Sequence, residues 1–496
     1  MTLAVVHSRA KVGIDAPAVT IEVHITNGLP RFAIVGLPEA AVKESKHRVR
    51  SAMLNSHFDF PDRRITVNLA PADLPKEGGR FDLAIAIGIM VASKQLPHDA
   101  LNQYEFIGEL ALSGELRPTD GLLPFALACR RVRRQCVVPR VNAFEAALAR
   151  GAVVLPAEHF LDVCAHLKGQ AKLQAIEPTA MKHVHKQTFD MSDVKGQMHA
   201  KRALEIAASG GHSLLFIGPP GTGKSMLARR LPSLLPNLSD EEALETASIY
   251  SIGGQGIRMH AFYERPFRAP HHTASQIALV GGGRPAKPGE ISLAHNGVLF
   301  LDELPEFNRS VIDSLREPLE EGVISIARVN EHIDFPARFQ LIAAMNPCPC
   351  GYDGDPRGDC TCTPDQVRRY QHKVSGPFLD RIDLRCLVPA VHYTQMLKQP
   401  RGETSQCVRE RVVAARTIQD ERGFLNARIP TRDIETLCRL EKPSQSFLTK
   451  VMEGLQLSAR SYHRVLRVAR TIADLDGCDG LTRDHVQEAL SYRLLD

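Results

Sequence analysis

No run in this 496-residue chain approaches the roughly 18 consecutive apolar residues that a membrane span needs. The opening stretch, MTLAVVHSRAKVGIDAP, breaks its apolar run too early for a signal peptide, so the expectation is a cytoplasmic protein with no membrane partner. Charge of one sign is also scarce. Lys and Arg number 61 against 56 Asp and Glu, which excludes a general attraction to polyanions and requires any such site to be local. A disulfide frame is lacking too: the eleven cysteines are odd in number and seven are scattered singly, as reduced thiols would be. The length suggests about three domains, each with material for its own core.

What is present centres on Ser213–Ser225, SLLFIGPPGTGKS. A short apolar strand runs into a loop, Gly218-Pro219-Pro220-Gly221-Thr222-Gly223, and Lys224-Ser225 opens a helix. This is G-x-x-x-x-G-K-[ST]. Its glycines let the backbone wrap a phosphate, while Lys224 reaches the outer phosphates and Ser225 ligates Mg²⁺, so ATP and Mg²⁺ are the implied ligands. Further on, Gly297-Val-Leu-Phe-Leu301 reads as a central parallel strand delivering Asp302-Glu303 at its carboxyl end. Asp302 can hold the Mg²⁺ and Glu303 can polarise the attacking water.

Residues 1–170 carry short β-like runs (Ala18–Ile25, Arg31–Val35, Arg64–Leu69) and two apolar helical stretches (Leu83–Ala92, Phe125–Arg134), an α+β domain. Through Val35-Gly-Leu-Pro38, Asn68-Leu-Ala-Pro-Ala-Asp-Leu-Pro-Lys-Glu-Gly78 and Gly108-Glu-Leu-Ala-Leu-Ser-Gly114, this domain resembles the Lon-protease-type domain that fronts magnesium-chelatase-like ATPases. The positions of that protease's serine and lysine fall at Arg80 and Leu123, so no activated nucleophile is expected and the domain reads as a scaffold, not a protease. Residues 171–188 read as a linker, 189–390 as the ATPase core, and 391–496 as a C-terminal helical domain.

Three further features stand out. Cys348-Pro-Cys350 and Cys360-Thr-Cys362 are two tight pairs; four thiolates make a tetrahedral Zn²⁺ shell, with unbound thiols or a redox switch as the other readings. Val323–Arg328 and His332–Phe335 alternate in polarity about a turn, the pattern of a hairpin. Arg460, Arg464, Arg467 and Arg470 share one helix face, either a solvated stripe or a face laid against nucleotide.

Together these motifs resemble the AAA+ magnesium-chelatase-like family, in its YifB/ComM-like branch, over essentially the whole chain. The resemblance implies an α/β fold: a Lon-protease-like α+β domain, an AAA+ P-loop core with a helix-2 insert at Ile257–Ala286 and a hairpin before sensor 1, and a C-terminal helical lid. It implies that Asn346 is sensor 1 and that Arg381 is an arginine finger serving a neighbouring subunit, with Arg385 as the nearby alternative and a salt bridge as the bland one. Arg460 best matches the sensor-2 position. It further implies a homo-oligomeric, hexameric ring that drives branch migration on single-stranded and branched DNA during natural transformation and homologous recombination, with recombination proteins as further partners. Arg328, beside the hairpin turn, is the expected phosphate contact, unless it pairs with Glu331. The alternative is a metal-insertion chaperone like magnesium chelatase.

Overall fold

The computed structural model describes every residue except 1–2, 38, 99–100, 178–188, 285, 329–330, 356, 391–400, 455–457 and 494–496. Most of the expected linker, including His183 and His185, therefore lies outside the described residues. No helix among the described residues is long and apolar enough to cross a membrane.

In the N-terminal part, Leu3–Arg9, Ala18–Thr26 and Arg64–Ala70 form antiparallel neighbours, and Arg31–Val35 adds in parallel at the edge. Arg64–Ala70 alternates as a half-buried strand should, with Ile65, Val67 and Leu69 turned inward. They pack under Asp82–Ala92, a helix buried on all sides, which is why its sequence is apolar without periodicity. A three-stranded parallel sheet, Tyr104–Phe106, Gln135–Pro139 and Val154–Ala157, completes this part. Arg80 and Leu123, expected at the protease positions, are both buried. The sequence reading missed the helix Ala40–Asn55. Its inward face is only Val42, Ser45, Val49, Ala52 and Met53, set among charges that hide the period.

This part is fastened to the ATPase core. Gly121 N–H donates to Ser251 O at 3.2 Å, Glu145 accepts from the Ser251 hydroxyl, and Arg150 pairs with Asp240. The turn after the first strand reaches the hairpin: a Cβ on Gly13 would lie 3.0 Å from Asp334 O and 3.2 Å from Ile333.

The core is a five-stranded sheet in the order Phe267–Arg268, Val298–Leu301, Gln340–Met345, Leu214–Ile217, Leu384–Leu387, with every pair parallel. Both faces are covered, so the three central strands read as continuous apolar runs. Gln340 is the polar exception. Its amide donates to Ala207 O and His212 O, capping carbonyls at the end of the helix Met198–Gly210. Within the expected insert at 257–286, Phe267–Arg268 belongs to this sheet, while the helix Gln276–Val280 lies outside it and Gly281–Gly282 forms a small ribbon with Lys287–Pro288. The predicted hairpin forms, with Val323–Arg328 paired antiparallel to Glu331–Pro336 and Ile324, Ile333 and Phe335 buried at its base.

The C-terminal helices Ser405–Arg422, Lys442–Gly454, Ala459–Leu475 and Arg483–Ser491 pack on one another and on the core sheet. Val408, Val412, Val465, Val468 and Ile472 share one apolar cluster with Leu214, Phe216, Ile342 and the helix Met198–Gly210. After the exposed Arg460, the arginine face of Ala459–Leu475 is engaged within the chain and is not a solvated stripe. Arg464 pairs with Asp383 at 2.6 Å, Arg467 donates to Ile429 O, and Arg470 is 1% exposed, bonded to Asp474 and to the carbonyls of Cys478 and Asp479. Asp474 is also gripped by Arg422 and Asn426. Helical spacing fixed the shared face, but not what covers it. Arg470→Ala strips one partner from a buried acid and leaves two carbonyls unbonded, and is expected to destabilise the C-terminal part by about 3 kcal/mol in urea titration while leaving ATP affinity unchanged.

Candidate active site

The carboxyl ends of parallel strands are where an open α/β sheet binds ligands, and three adjacent strands here deliver the expected residues to one point. Leu214–Ile217 leads into the phosphate loop and then the short helix Lys224–Ala228. Gly218 lies so close to the neighbouring strand that a Cβ would sit 2.2 Å from Val388 O, and Gly223, at φ 90°, turns the chain into the helix. That helix ends at Ala228, and Pro232 stands in the first turn of the next one, Leu231–Leu234.

Lys224 is buried. Its Nζ donates to Gly218 O at 2.6 Å, Pro219 O at 2.8 Å and Asn346 Oδ1 at 3.1 Å. Burial pulls its pKa below the ordinary lysine value, and Asp302 and Glu303 oppose that. Ser225 Oγ donates to Asp302 Oδ2 at 2.6 Å, so a hydroxyl and a carboxylate stand together as oxygen donors of the kind Mg²⁺ takes. Asp302 Oδ1 in turn accepts from Glu303 N–H at 3.0 Å. Glu303 sits at φ 53°, a left-handed conformation that costs a non-glycine residue energy and occurs preferentially at functional sites. Its Oε2 lies 3.1 Å from His272 Nδ1.

Arg381 and Arg460 are elsewhere. They line one cleft of about 510 Å³ with Gly211, Ser213, Arg338 and Asp383, residues that precede the strands and so mark the opposite end of the sheet. Within the chain Arg381 is held by Glu320 at 2.8 Å and by Pro377 O, the salt-bridge arrangement. Its Nε is buried without a partner. Arg460 is exposed at the first turn of its helix and is not laid against this chain's own phosphate loop. Arg385 donates to Leu379 O. Beneath the cleft, burial pushes the Asp383 carboxyl up, but Arg464 and His212 outweigh it and hold Asp383 below the usual carboxylate range.

Three family models match in succession: "Subunit ChlI of Mg-chelatase" over residues 21–142, "Magnesium chelatase, subunit ChlI" over 190–396, and "Magnesium chelatase, subunit ChlI C-terminal" over 402–493. Competence protein ComM of Haemophilus influenzae is 53% identical over the whole of this chain and 98% of its own length. The chain belongs to the magnesium-chelatase-like family, in its YifB/ComM branch. YifB of Escherichia coli is 50% identical over the same extents. The magnesium-chelatase 38 kDa subunit of Cereibacter sphaeroides is 26% identical and corresponds to 62% of this chain and 93% of its own length.

Directly after Asn346, the four cysteines come together. Their sulfur atoms lie within 4.8 Å of one another, with Cys348 to Cys350 at 3.3 Å, Cys348 to Cys360 at 3.7 Å and Cys350 to Cys360 at 3.6 Å. Metal–sulfur bonds of about 2.3 Å in a tetrahedron give edges of about 3.8 Å, so the set fits a Zn²⁺ ion. Gly351 N–H and Asp353 N–H both point at the buried Cys348 sulfur, and the Tyr352 N–H favours the Cys350 thiolate, drawing its pKa down to about 6.

His272 is the site residue that the sequence did not reveal. It lies in Arg265–Thr273, within the stretch expected to be the helix-2 insert, and no local spacing ties it to Glu303. Lys224→Ala is expected to abolish ATP binding, whereas Glu303→Gln binds ATP normally but hydrolyses it at least about 10²-fold more slowly. Nucleotide affinity measured beside single-turnover hydrolysis separates the two; equal loss of affinity refutes the division of labour.

Proposed function

We propose that this protein is an ATP-driven ring motor acting on DNA, most consistent with branch migration that integrates incoming single strands by homologous recombination. The observation that carries the reading is the split site: Lys224, Ser225, Asp302, Glu303 and Asn346 converge at one end of the sheet, while Arg381 and Arg460 stand at the other. Each subunit then offers its arginines to the nucleotide of a neighbour, and hydrolysis requires assembly, as a hexameric ring. The competence name carried by the Haemophilus relative supports the DNA reading.

In this mechanism the phosphate loop and Lys224 would hold the triphosphate, and Ser225 and Asp302 would hold Mg²⁺, which would supply neutralisation of phosphate charge. Glu303 orients and deprotonates the attacking water. His272 fixes the Glu303 carboxylate, and Asn346 places the water relative to the outer phosphate. Arg381 exchanges Glu320 for transition-state charge across the interface. The N-terminal part serves as a Lon-like scaffold without protease chemistry, since Arg80 and Leu123 supply neither a nucleophilic hydroxyl nor a base to activate it. Zn²⁺ in the cysteine cluster is structural.

The hairpin grips DNA. Its base is packed in the same apolar cluster as Leu341, Ala343 and Met345, the strand that ends at Asn346, so a change at the nucleotide reaches its arms. The Arg328 side chain and the turn at 329–330 lie outside the described residues, while the backbone register places Arg328 opposite Glu331 at the turn.

Hydrolysis is expected to rise with single-stranded and branched DNA. Arg328→Ala should keep basal turnover, lose that stimulation and flatten the salt dependence of DNA binding by about one phosphate contact. A wild-type protein that neither binds DNA nor responds to it at any salt refutes the motor reading and favours the chelatase-like one. Elemental analysis should find one zinc per chain, lost in the Cys348→Ser/Cys350→Ser variant; metal-free wild-type protein refutes the zinc assignment.

A further inference from the structure

The cysteine cluster lies against the phosphate loop. Gly351, three residues after the first cysteine, adopts φ 87°, and a Cβ there would lie 2.7 Å from Pro220 Cδ and 3.9 Å from Asn346 Cγ. One glycine thus faces both the loop that wraps phosphate and the residue that ends the sensor strand. Its own N–H is bonded to Cys348, to the carbonyl at 3.0 Å and to the sulfur at 3.2 Å, so its position follows from that of the metal ligand.

A second contact comes from the far side of the same turn. Arg357 reaches Pro220 O with Nη2 at 3.4 Å. Its guanidinium is aimed by Asp355, whose carboxylate is fully buried and accepts from Arg357 Nε, Nη2 and backbone N–H. Both anchors lie between the cysteine pairs, and the segment leaves the cluster at Thr363, which caps the helix Pro364–Gln371. Gln371 then returns a hydrogen bond to Pro347 O.

We propose that the metal-filled cysteine cluster is a brace for the phosphate loop, with Gly351 and Arg357 as positioning residues, so that nucleotide affinity depends on metal occupancy. This rests on the ATP and zinc readings given above. The physical reason is preorganisation. A loop that binds phosphate through backbone N–H groups works only if its outer turn is already in place, and Pro219-Pro220-Gly221 otherwise projects from the sheet with Pro220 exposed. Four metal–sulfur bonds fix residues 348–362 where four thiols, joined by weak S–H contacts, cannot.

The test uses the full-length chain, a fluorescent ATP analogue with Mg²⁺, elemental analysis and circular dichroism. Gly351→Ala is expected to keep its zinc and its helical signal while binding the analogue about tenfold more weakly, because the methyl group pushes Pro220 away from a backbone already in the left-handed region. Arg357→Ala, a substitution of an exposed side chain that leaves the fold intact, is expected to weaken binding by a smaller factor, with Arg357→Lys between it and wild type. Wild-type protein stripped of zinc by a chelator should lose affinity at least as strongly as Gly351→Ala and regain it on zinc addition. Wild-type protein that contains zinc, with both variants and the stripped protein binding the analogue at full affinity, overturns the brace alone. Wild-type protein without zinc that binds the analogue tightly overturns the brace together with the zinc reading, and wild-type protein that fails to bind ATP at all overturns the nucleotide site on which both depend.

Discussion

A lysine amine taken out of water must be surrounded by acceptors, and Lys224 dictates much of what stands around it. The carbonyls of Gly218 and Pro219 turn inward to meet it, which needs glycines on either side of the proline pair. The Asn346 amide oxygen comes from the adjacent strand, and Asp302 and Glu303 supply the opposing charge from the next. Three parallel strands have to end at the same level for this to work. That requirement explains why Val298–Leu301 and Gln340–Met345 are buried on both faces and why the helices Met198–Gly210 and Ala459–Leu475 join them in one apolar cluster.

Features set by short-range chemistry were legible in the sequence. The phosphate loop follows from glycines at fixed offsets between a strand and a helix, the acidic pair from an apolar run that ends abruptly, and the hairpin from alternation on both arms. The cysteine pairs were legible as a convergent set, although not as a neighbour of the phosphate loop, since nothing in the spacing relates Gly351 to Pro220. Pairings across long stretches of chain stayed hidden. His272 meets Glu303 only because Phe267–Arg268 adds to the sheet edge beside Val298–Leu301, and a two-residue strand has no pattern to read.

The arginines of Ala459–Leu475 show where periodicity stops being informative. Their spacing predicts a common face correctly, yet Asp383, Ile429 and the turn at Cys478–Asp479 bind that face, leaving Arg460 exposed, Arg464 and Arg467 half-buried in the cleft beside it and Arg470 buried. Burial of that kind stabilises a chain only when every donor is matched, and around Asp474 two arginines and an asparagine do the matching.

The placement of Arg381 and Arg460 at the far end of the sheet has a consequence for symmetry. If they serve a nucleotide, the surface that donates them and the surface that receives them are different surfaces of one subunit. Copies related by a two-fold axis would bring like against like, arginine edge to arginine edge, and leave both phosphate loops unserved. Only head-to-tail contacts join donor to acceptor, and such contacts either close on themselves by rotation or run on as a helical filament. The subunit is therefore built with a direction, and that direction is already set by which ends of its parallel strands carry lysine and which carry arginine.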